Sequence, residues 1–254
     1  MHVVVTGASA GIGEAIARAF SARGDAVSLV ARRRNLLDSL ANSLPGPSHV
    51  VAADLADPTT AAAWLPEAEA ALGPVDVLVN NAGMQVIGPT DAIDIEAAER
   101  SLMLNLLSPL RLTHAVLGGM RARRSGFIID IASMAALAPT PFMTWYNASK
   151  AGLAGASEAL RGELRGTGVH VITVYPGIIE TDMGKAGLAS YQKSRMLALQ
   201  PRGTTEGLAS RVVRAVEKKR PRVIYPWPVN GLSRWFPPIT RWMLDRFTPR
   251  LSNH

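Results

Sequence analysis

The sequence predicts an α/β fold, a doubly wound Rossmann-type domain on a seven-stranded parallel sheet flanked by helices. Three observations carry that reading. Short β-branched runs alternate with longer amphipathic stretches along the chain. The runs are nearly continuous in apolar residues, as strands covered on both faces require. A glycine-rich turn follows the first run, at the kind of strand end where such sheets bind ligands. At 254 residues and 48% hydrophobic, the chain is long enough to bury one large core. One domain over residues 1–230 fits best, with neither repeats nor a low-complexity linker.

The strand-like runs are Val3–Thr6, Ala26–Ala31, His49–Ala53, Val75–Asn80, Phe127–Ile131, Val169–Tyr175 and Arg222–Tyr225. Between them lie helix-like stretches such as Gly13–Arg23, Thr59–Ala71, Glu96–Met120, Trp145–Arg165 and Glu206–Glu217. No apolar run approaches the ~20 residues that span a bilayer. The first run starts directly after Met1, which leaves no room for a basic segment and an apolar leader. A cytoplasmic protein is expected. The chain has no cysteine, which excludes disulfides and thiolate chemistry, and no metal-ligand spacing is present.

The net charge of +7 is unevenly placed. Residues 1–217 hold 19 Lys and Arg against 19 Asp and Glu, whereas residues 218–254 hold eight basic residues against Asp245 alone. The excess therefore sits in a basic stretch that also carries Trp227, Trp235 and Trp242. No nucleic-acid motif accompanies the high pI, so a nucleic-acid partner is not expected.

Chemistry enters at residues 6–13, Thr-Gly-Ala-Ser-Ala-Gly-Ile-Gly, where the first strand turns into the first helix. Glycines there allow a tight turn and close backbone approach, and the helix N-terminus presents N–H groups to an anion. The spacing Gly7-x3-Gly11-x-Gly13 departs from the common dinucleotide fingerprint. At the end of the second strand the chain reads Ala31-Arg32-Arg33-Arg34, with no acid before Asp38. A carboxylate at that place suits the 2′-hydroxyl of NAD, and an arginine suits a 2′-phosphate. NADP(H) is favoured over NAD(H).

Tyr146 and Lys150 stand four residues apart in Tyr-Asn-Ala-Ser-Lys, on one face of a helix. A phenol near ~10 is a poor acid–base group at neutral pH, and a neighbouring cation lowers it. The expectation is a tyrosine able to exchange protons near neutrality.

Taken together these motifs resemble the short-chain dehydrogenase/reductase family, in its single-domain, NADP-preferring branch. Thr6 to Gly13 matches the family's phosphate turn, and Asn80–Gly83 its Asn-Asn-Ala-Gly. Asn105, Ser133, Tyr146 and Lys150 fall in order on its catalytic set, and Pro176, Gly177 and Thr181 on its Pro-Gly-x3-Thr turn. Ala10 departs from the basic residue that many NADP-using relatives carry.

The resemblance implies a hydride transfer between nicotinamide and a ketone or alcohol, with Tyr146 as general acid or base. It implies that Lys150 lowers the phenol and holds the nicotinamide ribose, and that Ser133 holds the substrate oxygen. Asn105 is implied to bend its helix and hold a water. Gly7, Ser9, Ala10, Gly11, Ile12 and Gly13 are implied to cradle the phosphates, and Arg32 and Arg33 to meet the 2′-phosphate. Asp54 and Leu55 would meet adenine. Asn81, Ala82, Gly83, Pro176, Gly177, Ile179 and Thr181 would line the rest of the site, Ile179 and Thr181 fixing the carboxamide. A homodimer or homotetramer is implied as well.

The family places its substrate lid at about residues 182–203, here holding Met183, Leu188, Tyr191, Met196 and Leu199. With Phe142, Met143 and Trp145 these suit a hydrophobic carbonyl or alcohol. The alternative is a catalytically idle NADP-binding sensor or scaffold. Residues 231–247 carry Leu232, Trp235, Phe236, Ile239, Trp242, Met243 and Phe247 at helical spacing, broken by Pro237-Pro238. Two readings stay open for this extension, packing on the protein itself or peripheral contact with an anionic membrane.

Overall fold

The computed structural model describes residues 1–192, 200–227, 249 and 251–252. Seven strands form one parallel sheet: β1 His2–Thr6, β2 Ala26–Ala31, β3 Ser48–Ala52, β4 Val77–Asn80, β5 Gly126–Ile131, β6 Val169–Pro176 and β9 Arg222–Tyr225. Their order is β3-β2-β1-β4-β5-β6-β9. The order reverses between β1 and β4, and ligands of such sheets sit at that switch, beyond the carboxyl ends of the strands. A separate two-stranded pair, β7 Ile178–Ile179 and β8 Arg202–Gly203, lies beyond β6.

The apolar strands are explained by burial on both faces. Val3 and Val5 join one core cluster and Val4 the other; Val77 and Val79 likewise oppose Leu78. Alternate side chains point to opposite faces, so both sets must be apolar. One cluster packs α1 (Gly11–Ser21), α2 (Arg34–Ser43) and α8 (Thr205–Glu217) on the sheet, through Ile16, Phe20, Leu37, Leu208 and Val212. The other packs α3 (Leu65–Leu72) and α5 (Ser108–Arg123), through Leu65, Leu112, Val116 and Met120. Each such side chain, fully buried, contributes about 1.5–3 kcal/mol.

Two of the expected helices differ. Only the second half of Thr59–Ala71 is helical. Asp57 accepts from the Thr59 N–H at 2.8 Å and its hydroxyl at 2.5 Å, and isolated turns run from there until α3 begins at Leu65. The stretch expected as Glu96–Met120 divides into α4 (Ile95–Leu102), a π-helical turn (Met103–Leu107) and α5. Pro109 has no N–H to offer the carbonyl of Asn105 four residues earlier, which favours the wider turn there. Two further helices, α6 Thr144–Glu163 and α7 Asp182–Ala189, follow β5 and β7.

No helix among the described residues is long and apolar enough to cross a membrane. Met196 and Leu199 of the expected lid, and the amphipathic stretch 231–247, lie outside the described residues.

Candidate active site

A cleft of about 1210 Å³ opens at the carboxyl ends of β1, β2, β4, β5 and β6. On one side it is walled by the β1–α1 turn. Gly7 and Gly11 there have φ of +67° and +60°, a region that glycine alone enters freely. The head of α1, at Ala10, has no side-chain cap, so its N–H groups face the cleft available to an anion.

Gly13, expected to touch the ligand, does not line the cleft. It lies behind the turn, where a Cβ would stand 2.3 Å from the Gly7 carbonyl oxygen and 2.5 Å from Asn81 Nδ2. Its role is close packing. Thr6, which the sequence placed only at the head of the motif, ties this turn to β4. Its hydroxyl accepts from the N–H groups of Asn81 at 2.9 Å and Ala82 at 3.0 Å, and donates to the Val79 carbonyl at 3.1 Å.

Ser9, Ala10, Gly11, Ile12, Arg32, Arg33, Asp54, Leu55, Asn81, Ala82 and Gly83 all line the cleft. The Arg33 guanidinium crosses from the end of β2 to donate to Ser9 Oγ at 2.9 Å. Asp54 is engaged by Arg100 of α4 at 2.6 Å, a partner that sequence reasoning missed. Burial opposes the Asp54 charge, but the Ala56 N–H and that guanidinium hold the carboxyl below its ordinary range.

The opposite wall is built by β5, α6 and the β6 end. Ser133 follows β5 and caps a short 3₁₀ turn, Met134–Ala136, accepting from the Ala135 N–H at 3.1 Å. Its hydroxyl also meets the Tyr146 phenol. Tyr146 stands in the first turn of α6 with part of its surface open to the cleft. One turn on, Lys150 is 5% exposed, and its ammonium donates to the Ile131 carbonyl at 2.8 Å. The ammonium lies 6.0 Å from the centre of the Tyr146 ring.

Asn105 does not reach the cleft. It is fully buried, and its amide accepts from the Met84 N–H and donates to the Met84 carbonyl, both at 2.9 Å. It also donates to Ser149 Oγ at 3.1 Å, and Ser149 donates in turn to the Tyr146 carbonyl at 2.8 Å. The side chain therefore clamps the chain after Gly83 to α6.

The expectation of a lowered Tyr146 phenol is also corrected. Burial pushes it above its ordinary value, with the Ser133 hydroxyl pulling the other way. Burial lowers Lys150 to about 8, opposed by Asp130. At neutral pH the structure thus presents a protonated phenol beside a largely charged ammonium.

Pro176, Gly177, Ile179 and Thr181 line the floor where β6 passes into β7. Thr181 caps α7, its hydroxyl accepting from Gly184 N–H at 3.0 Å. Met183, Leu188, Tyr191 and Met143 line the cleft as expected, joined by Gln85, Ile87 and Met134, but Phe142 and Trp145 do not. The Phe142 ring instead meets Tyr191, centroids 6.5 Å apart, and Tyr191 donates to the Pro141 carbonyl at 2.8 Å. His114 is exposed, and His170 stacks on Phe127 at 5.2 Å, both away from the cleft.

The short chain dehydrogenase family pattern matches residues 1–191. The chain belongs to the short-chain dehydrogenase family. Over 213 residues, 84% of this chain and 86% of the relative, it is 36% identical to the 3-oxoacyl-[acyl-carrier-protein] reductase FabG of Escherichia coli. It is 37% identical over 186 residues to a short chain dehydrogenase of Pseudocercospora fijiensis, covering 71% of this chain but only 60% of that relative. Among solved structures, the closed form of a serine dehydrogenase complexed with NADP+ matches with a TM-score of 0.78 and 29% identity, covering 88% of this chain and 94% of the other. The protein is accordingly an oxidoreductase of a family that binds a nicotinamide cofactor and acts on small-molecule carbonyls or alcohols.

The residues present fit such a cofactor. The uncapped α1 head and the Gly7–Gly11 turn leave room for a pyrophosphate, and the cleft runs unbroken from Arg33 to Tyr146.

Proposed function

We propose that this protein is an NADP-dependent carbonyl reductase or alcohol dehydrogenase acting on a hydrophobic ketone or secondary alcohol. The observation that carries the reading is the meeting of Ser133, Tyr146 and Lys150 in one cleft with the glycine turn. Gly7, Ser9, Ala10, Gly11 and Ile12 would hold the pyrophosphate, and Arg32 and Arg33 the 2′-phosphate. Asp54 and Leu55 would border the adenine. Asn81, Ala82 and Gly83 with Pro176, Gly177, Ile179 and Thr181 would hold the ribose and carboxamide. When bound, the nicotinamide supplies or takes up the hydride.

The chain's own residues handle the oxygen. Ser133, with its lone pair engaged by Ala135, directs its proton at the substrate carbonyl and stabilises the developing alkoxide. Tyr146 gives its proton to the same oxygen as the hydride reaches the carbon, so the carbonyl becomes an alcohol and the phenol a phenolate. Lys150 steadies that phenolate by its charge. A phenol held above its ordinary value keeps its proton at neutral pH, the form that reduction consumes. Asn105 acts at one remove, by clamping Met84 and Ser149.

NADP is supported by two features at the β2 end. Arg32 and Arg33 line the cleft there, and the nearby acid Asp54 is bound to Arg100. A hydrophobic substrate is supported by Met134, Met143, Met183, Leu188 and Tyr191 around the open end of the cleft. A homo-oligomer is part of the same reading; for the extension, residues 231–254, packing on the protein and contact with an anionic membrane both stay open.

The test is the consumption of NADPH and of NADH, followed by absorbance over a panel of aliphatic and aromatic ketones. The reading expects turnover with apolar ketones and a preference for NADPH. Binding of NADPH without turnover of any ketone would favour an idle sensor.

A further inference from the structure

Helix α7 brings Met183 and Leu188 to the open end of the cleft, yet little of it is held there by its own packing. It has eight residues, among which Gly187 is the buried one. A helix shorter than about 12 residues is not stable by itself in water. Its position must come from attachments.

At its N-terminal end the Thr181 hydroxyl accepts from the Gly184 N–H at 3.0 Å. In the middle Gly187 lies close against Gln85, where a Cβ would stand 2.6 Å from Oε1. The C-terminal end is held by residues far along the chain. Ser252 donates its N–H to the Ser190 carbonyl at 3.0 Å and its hydroxyl to the Ala189 carbonyl at 3.2 Å, across 63 positions. The last carbonyls of a helix have no partner within it, and here one residue from outside takes two carbonyls at the helix end.

The same stretch reaches the cleft. Leu251 pairs antiparallel with Tyr191 in an isolated bridge, and the two are only 6% and 8% exposed. Pro249 lines the cleft itself, together with Tyr191 and Leu188. Tyr191 carries the attachment onward, since its hydroxyl donates to the Pro141 carbonyl at 2.8 Å in the loop that leads into α6. Of the extension, the described residues Pro249, Leu251 and Ser252 thus meet the body of the protein beside the cleft. They lie beyond residues 1–191, the stretch that the family pattern matches.

We propose that Pro249, Leu251 and Ser252 are specificity-determining residues. Leu251 and Ser252 strap the end of α7 in place, and Pro249 completes the apolar wall that receives the hydrocarbon substituent of the ketone. A substituent long enough to reach this wall buries apolar surface against Leu188, Tyr191 and Pro249, and a short one does not. The substrate part rests on the proposed function; the seating of α7 does not, and it is read without turnover.

Two variants loosen the strap in different ways. Ser252→Pro removes both donors while keeping the preceding Leu251 extended, and Leu251→Ser removes the buried side chain but keeps Ser252. Hydrogen–deuterium exchange should show residues 182–191 exchanging faster in both than in the wild type. In steady-state assays over linear methyl ketones of increasing length from butanone, wild-type kcat/KM should rise with length. Both variants should lose about fourfold or more at the long end, what the burial of one methylene group is worth, with the loss in KM and butanone least affected. The NADPH dissociation constant should stay within about twofold, because a nonpolar wall at the far end touches none of the charged contacts that hold the cofactor. Unchanged exchange in α7, or an unchanged ketone series in a variant whose α7 is loosened, overturns the proposal. Should neither variant fold, the wild type still decides: its Ser252 amide must be protected, and unprotected exchange there overturns the proposal. A wild type that turns over no ketone would instead sink the enzymatic reading, leaving the seating of α7 to the exchange measurement.

Discussion

Replacing Gly13 by alanine sets two known effects against each other. Gly13 lies inside α1 at ordinary helical φ, so added helix propensity alone would stabilise by roughly 1 kcal/mol. The structure predicts the opposite sign. The new Cβ would meet the Gly7 carbonyl at 2.3 Å and Asn81 Nδ2 at 2.5 Å. The first is backbone. The second is held by bonds to the Thr6 and Gly7 carbonyls at 2.9 and 3.3 Å, so neither can step aside cheaply. Overpacking of this kind costs about 1–3 kcal/mol. The crowded atoms argue for the upper half of that range, leaving a net loss of about 1–2 kcal/mol. For a chain of this size the melting temperature should then fall by about 2–8 °C. Gly118→Ala in α5, where a Cβ meets nothing within 4 Å, should be neutral or stabilising in the same scan. Calorimetry of the three proteins tests this. A Gly13→Ala melt equal to or above that of the wild type would refute the packing argument.

Tyr146→Phe should abolish ketone reduction while leaving the NADPH dissociation constant within about twofold, read by fluorescence titration, since the ring keeps its packing. Arg32→Asp should shift the NADPH/NADH affinity ratio toward NADH by about five- to 150-fold, the worth of one charged contact of about 1–3 kcal/mol; an unchanged ratio would remove Arg32 from the phosphate site. Lys150 makes stability pH-dependent. Its folded value, about 8, lies below the ordinary 10.5, so the unfolded chain binds more protons between them. The penalty is full below about pH 8 and is relieved as pH rises toward about 10. The urea midpoint of the wild type, compared with that of Lys150→Met, should show a rise with pH in that window that the variant lacks.

The sheet was legible because its strands are buried on both faces and so read as unbroken apolar runs, Val3–Val5 and Val77–Val79 among them. The phosphate turn was legible because Gly7 and Gly11 occupy backbone conformations that other residues avoid. Local patterning does not show which distant groups meet. The bond from Arg100 to Asp54 spans 46 residues, and that from Asn80 to Asp130 spans 50. Asn105 was singled out, but its partners Met84 and Ser149 are set by tertiary packing, as is the exclusion of Gly13 from the cleft wall. The sign of the Tyr146 shift was misread for a related reason. The Tyr-x3-Lys spacing reveals the cation, while the burial that raises the phenol against the pull of Ser133 depends on the whole fold.

In the proposed reaction Tyr146 delivers a proton to a carbonyl oxygen while hydride passes to its carbon from a nicotinamide. The most direct measurement uses NADPH deuterated at the transferring C4 position with an apolar ketone, and reads the product alcohol by ²H NMR. Deuterium is expected on the carbinol carbon with the wild-type protein and none above background with Tyr146→Phe. Alcohol formed without the label, or labelled alcohol formed at the wild-type rate by Tyr146→Phe, would contradict it.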